Sequence, residues 1–292
     1  MANLTMLIEK LIVIQGHFVP SDAGKLFVTQ YSANEQPAKQ AVLFLPSIFE
    51  EMNLCRAVVA KQAQFLSEQG FNVYCLDYFG CGDSEGEILE ANADIWQQNI
   101  LDTVHWLKQK GEQHLTLWGM RFGALLACQK LQDIHQVMPV KQLVWWKPVL
   151  KGKQFMTQFL RLKQAASMMQ GQQNVKWREH ILAGNTTEVA GYEICAELLG
   201  SIDSLHIPTE NPEGLAPDFT VAWLELSANK ITPVIQKLID GWGGSVLNVS
   251  CFEGSAFWQI PEIFEQRFLH QPMLDALQQR PVLEEQKGEL QC

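Results

Sequence analysis

Long apolar runs are missing from this sequence. The longest uninterrupted ones, such as residues 41–45 and 143–146, fall far short of the roughly 18 to 20 residues a spanning helix needs. No transmembrane helix is therefore expected. Basic charge is also scarce: 22 Lys and Arg stand against 32 Asp and Glu, a formal net charge of -10. Such a field repels nucleic acid, and no window gathers enough Lys and Arg to reverse it, so nucleic acid is not an expected partner. The N-terminus has neither a basic leader nor an adequate apolar stretch, since Glu9 and Lys10 precede only the short run 11–14. The expected location is the cytoplasm. Paired cysteine spacings are absent as well. The seven cysteines, at 55, 75, 81, 128, 195, 251 and 292, form no C-x-x-C and no spacing with histidine, which reads as reduced thiols without structural zinc. The sequence carries no G-x-x-x-x-G-K-[ST] phosphate loop and no G-x-G-x-x-G opening a helix directly after a strand, so no cofactor is expected.

What is present is a soluble, core-forming composition, 47% hydrophobic and 18% charged. Short apolar runs rich in β-branched and aromatic residues recur at 41–45, 71–76, 115–118, 143–146, 220–226 and 246–251 and predict buried parallel strands. Between them, residues 56–69, 95–110, 122–132 and 233–241 return an apolar side chain every three or four positions, as amphipathic helices do. Alternating strand and helix implies a doubly wound, mostly parallel sheet. Residues 16–19 and 26–31 predict a leading antiparallel hairpin at one edge. The stretch 150–216 is too long for a simple crossover. It contains helical patterns at 153–169, 174–183 and 194–204, which predicts a helical cap inserted into a core made of 1–149 and 217–292. The acidic tail 284–291 reads as a frayed end.

The decisive segment is "LTLWGMRFGALLA", residues 115–127. Its strand, sharp turn and helix have the layout of a nucleophile elbow, with Gly119 and Gly123 where side chains must be absent. An elbow of the α/β-hydrolase fold reads G-x-S-x-G and raises a serine above the sheet. Here the central residue is Arg121, whose guanidinium stays protonated and is no nucleophile. It can hold a ligand anion, or pair with an internal carboxylate. The triad acid is expected after the next-to-last strand, in "LELSANKITP", where Asn229 occupies the place and Glu225 is the nearest carboxylate. The base is expected after the last strand, in "CFEGSAFWQIP". That loop has no histidine; Phe257 or Trp258 stands there, and His270 lies further on in a helical segment.

Other polar groups cluster at strand ends. After the run at 41–45 come Ser47, Glu50, Glu51, Asn53 and Arg56. Two adjacent carboxylates suit acid and base chemistry. They equally suit an ion-pair network with Arg56 or Arg121, with Asn53 capping the next helix. In "GCGDSEGE", residues 80–87, Asp83 and Ser84 suit a glycine-rich turn held by its own hydrogen bonds, and Ser84 is also a candidate displaced nucleophile. Lys147, Lys151 and Lys153 read either as a basic rim near Arg121 or as solvated charges. Trp145, Trp146, Phe155, Phe257 and Trp258 read as pocket walls or as core. The ligand-contacting candidates are thus Arg121, Glu50, Glu51, Arg56, Lys147 and Trp258.

The segments "PSIFEEMNLCR" (46–56), "DYFGCGDSEGE" (77–87), "WGMRFGALLA" (118–127), "KPVLKGKQFMTQFLR" (147–161), "AGYEI" (190–194) and "FWQIPEI" (257–263) resemble the exosortase A system-associated hydrolases, specifically type 2. The resemblance spans most of the chain, cap included. It implies a bacterial α/β-hydrolase-fold protein encoded beside exopolysaccharide and exosortase genes, with an arginine at the elbow as the type's own pattern. It supplies no reaction, because fold does not determine chemistry. Two functions compete. One is a protein with a degenerate triad that binds an anionic small molecule or a partner from the exosortase and exopolysaccharide machinery. The other is a hydrolase of the esterase or thioesterase kind using unorthodox groups such as Glu50, Glu51 or Ser84.

Overall fold

The eight-stranded sheet runs, edge to edge, β1 (Ile12–Val19), β2 (Leu26–Ala33), β4 (Asn72–Leu76), β3 (Ala41–Leu45), β5 (Leu115–Met120), β6 (Val140–Trp146), β9 (Thr220–Leu226) and β10 (Leu247–Phe252). The computed structural model describes residues 12–33, 40–171 and 175–279; the acidic tail, Cys292 and the start of the second cap pattern at Asn174 lie outside them. Strands β1 and β2 form the antiparallel hairpin at one edge, and β2 also meets β4 antiparallel. The other neighbours, β3, β5, β6, β9 and β10, pair in parallel. Every residue of β3 and β5 is buried. That explains why they are apolar except for Thr116, since helices cover both faces of these strands.

Helices α1 (Glu50–Glu68) and α9 (His270–Leu277) pack one face, where Val58, Ala63 and Leu66 meet Trp118, Trp146 and Met273. On the other face lie α2 (Ala93–Gln109), α3 (Phe122–Gln129), α4 (Leu131–Val137) and, further along, α8 (Pro233–Trp242). Local chemistry sets the starts. Asn92 accepts a hydrogen bond from the Ile95 amide at 2.9 Å, and Thr232 caps the helix whose first residue is Pro233. The helical pattern expected over 122–132 is two helices, because the chain breaks at Lys130, where φ is -120°.

Between β6 and β9 the chain forms α5 (Gly152–Met169), α6 (Trp177–Leu182), a two-stranded hairpin β7 (Thr187–Val189) with β8 (Tyr192–Ile194), and α7 (Ala196–Asp203). Its buried side chains, including Phe155, Met156, Ile194, Leu198 and Ile202, belong to the same apolar cluster as the sheet's Leu117 and Leu143. Among the described residues no helix is long and apolar enough to cross a membrane.

The parallel strands deliver their C-terminal ends to one rim, the position where open α/β sheets hold ligands. Four non-glycine residues just past those ends have left-handed backbones: Phe49 (φ 59°), Arg121 (φ 52°), Lys147 (φ 46°) and Ser227 (φ 53°). Strain of this kind, of order 1–3 kcal/mol per residue, concentrates at sites.

Candidate functional site

At the junction of β5 and α3, Arg121 has φ 52° and ψ -115°, outside the regions L-residues favour. The neighbours force that turn. A Cβ on Gly119 would come within 2.5 Å of the Ala124 Cα, and one on Gly123 within 2.0 Å of the Leu45 carbonyl oxygen. The Arg121 amide donates to the Trp146 carbonyl at 3.0 Å, and its carbonyl accepts from the Val149 amide at 3.1 Å. The backbone has the form of an elbow, and the side chain at its apex is a guanidinium.

The Arg121 guanidinium is only 9% exposed and faces Glu51 side-on. Nε donates at 3.2 Å to both carboxylate oxygens and Nη2 at 2.8 Å to Oε1, while the Ser47 hydroxyl donates to Oε2 at 2.7 Å. The Trp258 ring centroid lies 5.3 Å from the guanidinium carbon, a cation–π contact. Trp258 and Phe257 are buried, and Phe257 packs edge-on to Trp146 at 6.4 Å. The loop that would bring an imidazole to a nucleophile therefore brings an indole to a cation.

The remaining charges find partners that the sequence did not single out. Arg56 pairs with Asp77, Nη2 lying 3.0 and 2.9 Å from the two oxygens, and not with Glu50 or Glu51. Burial lowers the Arg56 pKa, but the Asp77 carboxylate more than offsets this and the value is raised. Lys147 is tied to Glu225 at 2.5 Å instead of standing free in solvent, and the second Glu225 oxygen accepts from the Trp223 indole at 2.8 Å. Glu50 is exposed and accepts from the Tyr192 hydroxyl at 3.2 Å. Asn53 does not cap a helix. Because α1 begins at Glu50, Asn53 sits in its first turn and donates to Tyr192 at 2.9 Å.

Ser84 takes part in the hydrogen bonding of the glycine-rich turn. Its hydroxyl donates to the Asp77 carbonyl at 2.6 Å and accepts from the Phe27 amide at 2.8 Å, which fastens the glycine-rich turn to β2. Asn229 is exposed in the loop after β9. His270 stacks on Phe65 at 4.5 Å, against the face of α1, and burial lowers its pKa. Among the described residues no histidine hydrogen-bonds to Arg121 or Ser84, and no cluster of three or more His, Cys, Asp or Glu could hold a metal.

Aromatic side chains occupy the space between cap and elbow. Phe49 stacks on Phe159 at 4.3 Å, Phe155 stacks on Phe122 at 5.2 Å, and Tyr192 closes on Phe49 at 5.2 Å. Open space remains on the other side, in a pocket of about 330 Å³ bounded by Arg121, Lys147, Glu225, Gln154, Gln158 and Val234 among others. Its polar lining was only partly legible: Lys147 came from its place at a strand end, whereas Gln154 and Gln158 carried no signal beyond their four-residue spacing.

The family model for serine aminopeptidase, S33, matches residues 36–193, more than half of the sequence. The chain belongs to the serine aminopeptidase S33 family. This family member also shares its fold with solved α/β-hydrolases. Est1E from Butyrivibrio proteoclasticus with ferulic acid bound superposes with a TM-score of 0.59 at 13% identity, over 90% of this chain and 99% of that one. Proline iminopeptidase from Mycobacterium smegmatis gives 0.56 at 16% identity, over 91% and 98%. Mouse alpha/beta hydrolase domain-containing protein 10 gives 0.54 at 15% identity, over 92% and 99%. At such identities the likeness concerns the fold alone. No curated protein matches the sequence.

Proposed function

We propose that this S33-family chain is a binding protein of the exosortase and exopolysaccharide system that holds a small anionic ligand in the pocket beside Arg121 and performs no serine-type hydrolysis. The system is suggested by the sequence resemblance alone. The observation carrying the binding role is the elbow itself: a strained turn of the kind that raises a nucleophilic hydroxyl presents a guanidinium paired with Glu51. Proton transfer to a base has no place in that arrangement.

Donor and acceptor counts around the pocket support the class of ligand. Lys147 has three N–H bonds and gives one to Glu225; Arg121 Nη1 has two and makes one long contact, 3.4 Å, to the Lys147 carbonyl. Glu225 has both oxygens engaged. Lys147 and Arg121 Nη1 keep N–H donors beyond these contacts, and an acceptor-rich anion would fill them. The intact elbow backbone is what favours the hydrolase alternative, and one experiment addresses both. Isothermal titration of a panel of small carboxylates and phosphate against wild type and Lys147→Gln is expected to show binding that the substitution weakens about tenfold or more. A serine-reactive fluorophosphonate is expected to label neither. Absence of any anion binding defeats the proposal, and covalent labelling of the wild type gives the hydrolase reading first place.

A further inference from the structure

We infer that the ligand of the Arg121 pocket is a polyhydroxylated carboxylate, whose acid group meets Lys147 and Arg121 while its hydroxyls meet Gln154 and Gln158. This rests on the anion-binding reading above and narrows it. Gln154 and Gln158 lie on α5 one turn apart, exposed, with both side chains bordering the pocket and neither amide engaged by another group among the described residues. On a helix that spacing places the two side chains side by side, about 5–6 Å apart at Cβ.

A primary amide is neutral and both donates and accepts in a fixed plane. A hydroxyl needs both, whereas a plain carboxylate needs donors only. Two amides on one wall therefore recognise two hydroxyls and contribute nothing to an apolar acid, which would instead strip their hydration without return. The cations stand at the sheet rim and the amides on the cap helix, so the ligand must bear its charge at one end and its hydroxyls along one side. A volume of about 330 Å³ is at the small end for ligand pockets, which suits one monosaccharide-sized molecule. The stacked aromatics fill the side toward the elbow.

The test uses three probes of matched ring size: D-glucuronate, D-glucose and cyclohexanecarboxylate, titrated calorimetrically into the full chain and into a Gln154→Ala, Gln158→Ala double variant. Both glutamines are exposed, so the variant is expected to fold, which circular dichroism verifies. D-glucuronate is expected to bind wild type at least tenfold tighter than either other probe, and the double variant to lose that margin over cyclohexanecarboxylate. If cyclohexanecarboxylate binds wild type as tightly as D-glucuronate, or the double variant keeps the margin, the hydroxyl recognition is refuted while the anion site stands. If D-glucose matches D-glucuronate, or no probe binds and the carboxylate and phosphate panel fails too, the anion reading falls and this inference with it.

Discussion

Removing one partner of the Arg121–Glu51 pair should reveal whether the elbow has become a structural ion pair. Both side chains are largely buried, 9% and 17% exposed. Deleting one charge from a buried pair costs about 3–5 kcal/mol, because the other is left unpaired in a poorly hydrated place. Glu51→Gln keeps the shape and one acceptor oxygen, so the low end applies, about 3 kcal/mol. Arg121→Gly loses the same pair but releases the left-handed backbone strain, worth about 1–3 kcal/mol. Its net cost is then about 2 kcal/mol. The double variant removes both charges together and should lose about 2 kcal/mol, well short of the sum of its parts, giving a coupling near 3 kcal/mol. Urea unfolding followed by tryptophan fluorescence measures all four proteins, with thermal midpoints as a check. If Glu51→Gln unfolds within about 0.5 kcal/mol of wild type, or the two losses simply add, the pair does not hold the elbow together.

Three further outcomes follow from the same geometry. Arg121→Ser is expected to yield no efficient esterase: turnover of short activated esters should stay at least about 10³-fold below that of an intact triad enzyme, because Trp258 stands where the base is needed. Gly123→Ala should prevent stable folding or lower the melting temperature sharply, since its Cβ would meet the Leu45 carbonyl oxygen at 2.0 Å; an unchanged melting curve contradicts the packing described. The lowered pKa of His270, caused first by burial, means the folded state resists its protonation. Stability is then full above the ordinary value of 6.5 and declines as pH falls from there through the lower folded value. His270→Phe keeps the stack on Phe65 and should flatten that acidic decline in melting temperature, which a melt series from pH 7.5 to about 5 would detect.

The strands over Ala41–Leu45 and Thr220–Leu226 were legible to the residue, since central strands covered on both faces are mostly apolar, Glu225 being the one charge in either. The start of α1 was not. Glu50, Glu51 and Asn53 look like loop residues in sequence, whereas acidic side chains in a first turn stabilise it against the helix dipole. The β7–β8 hairpin was missed because three-residue strands are too short to show alternation; its signal was the two-residue turn Ala190–Gly191, with φ of 50° and 85°. At the site, the order of strand, turn and helix revealed Arg121 and the loop that carries Trp258 to it, whereas Asn229 stands exposed and is not among Arg121's hydrogen-bond partners. The partners of the cations were not legible. Lys147 finds Glu225 across 78 residues and Arg121 finds Glu51 across 70, and several carboxylates were equally eligible until the sheet fixed the distances.

The two glycines of the elbow point to a wider consequence. They are held by the close seating of α3 on β3 and β5, a matter of how the central helix stacks on the sheet and not of what the turn does. A lineage can therefore give up its nucleophile without giving up the bend, and the bend then becomes a socket for whatever side chain mutation delivers. In such proteins a perfect elbow testifies to shared architecture, and only the residue seated in it, together with what the neighbouring loops bring against that residue, testifies to chemistry.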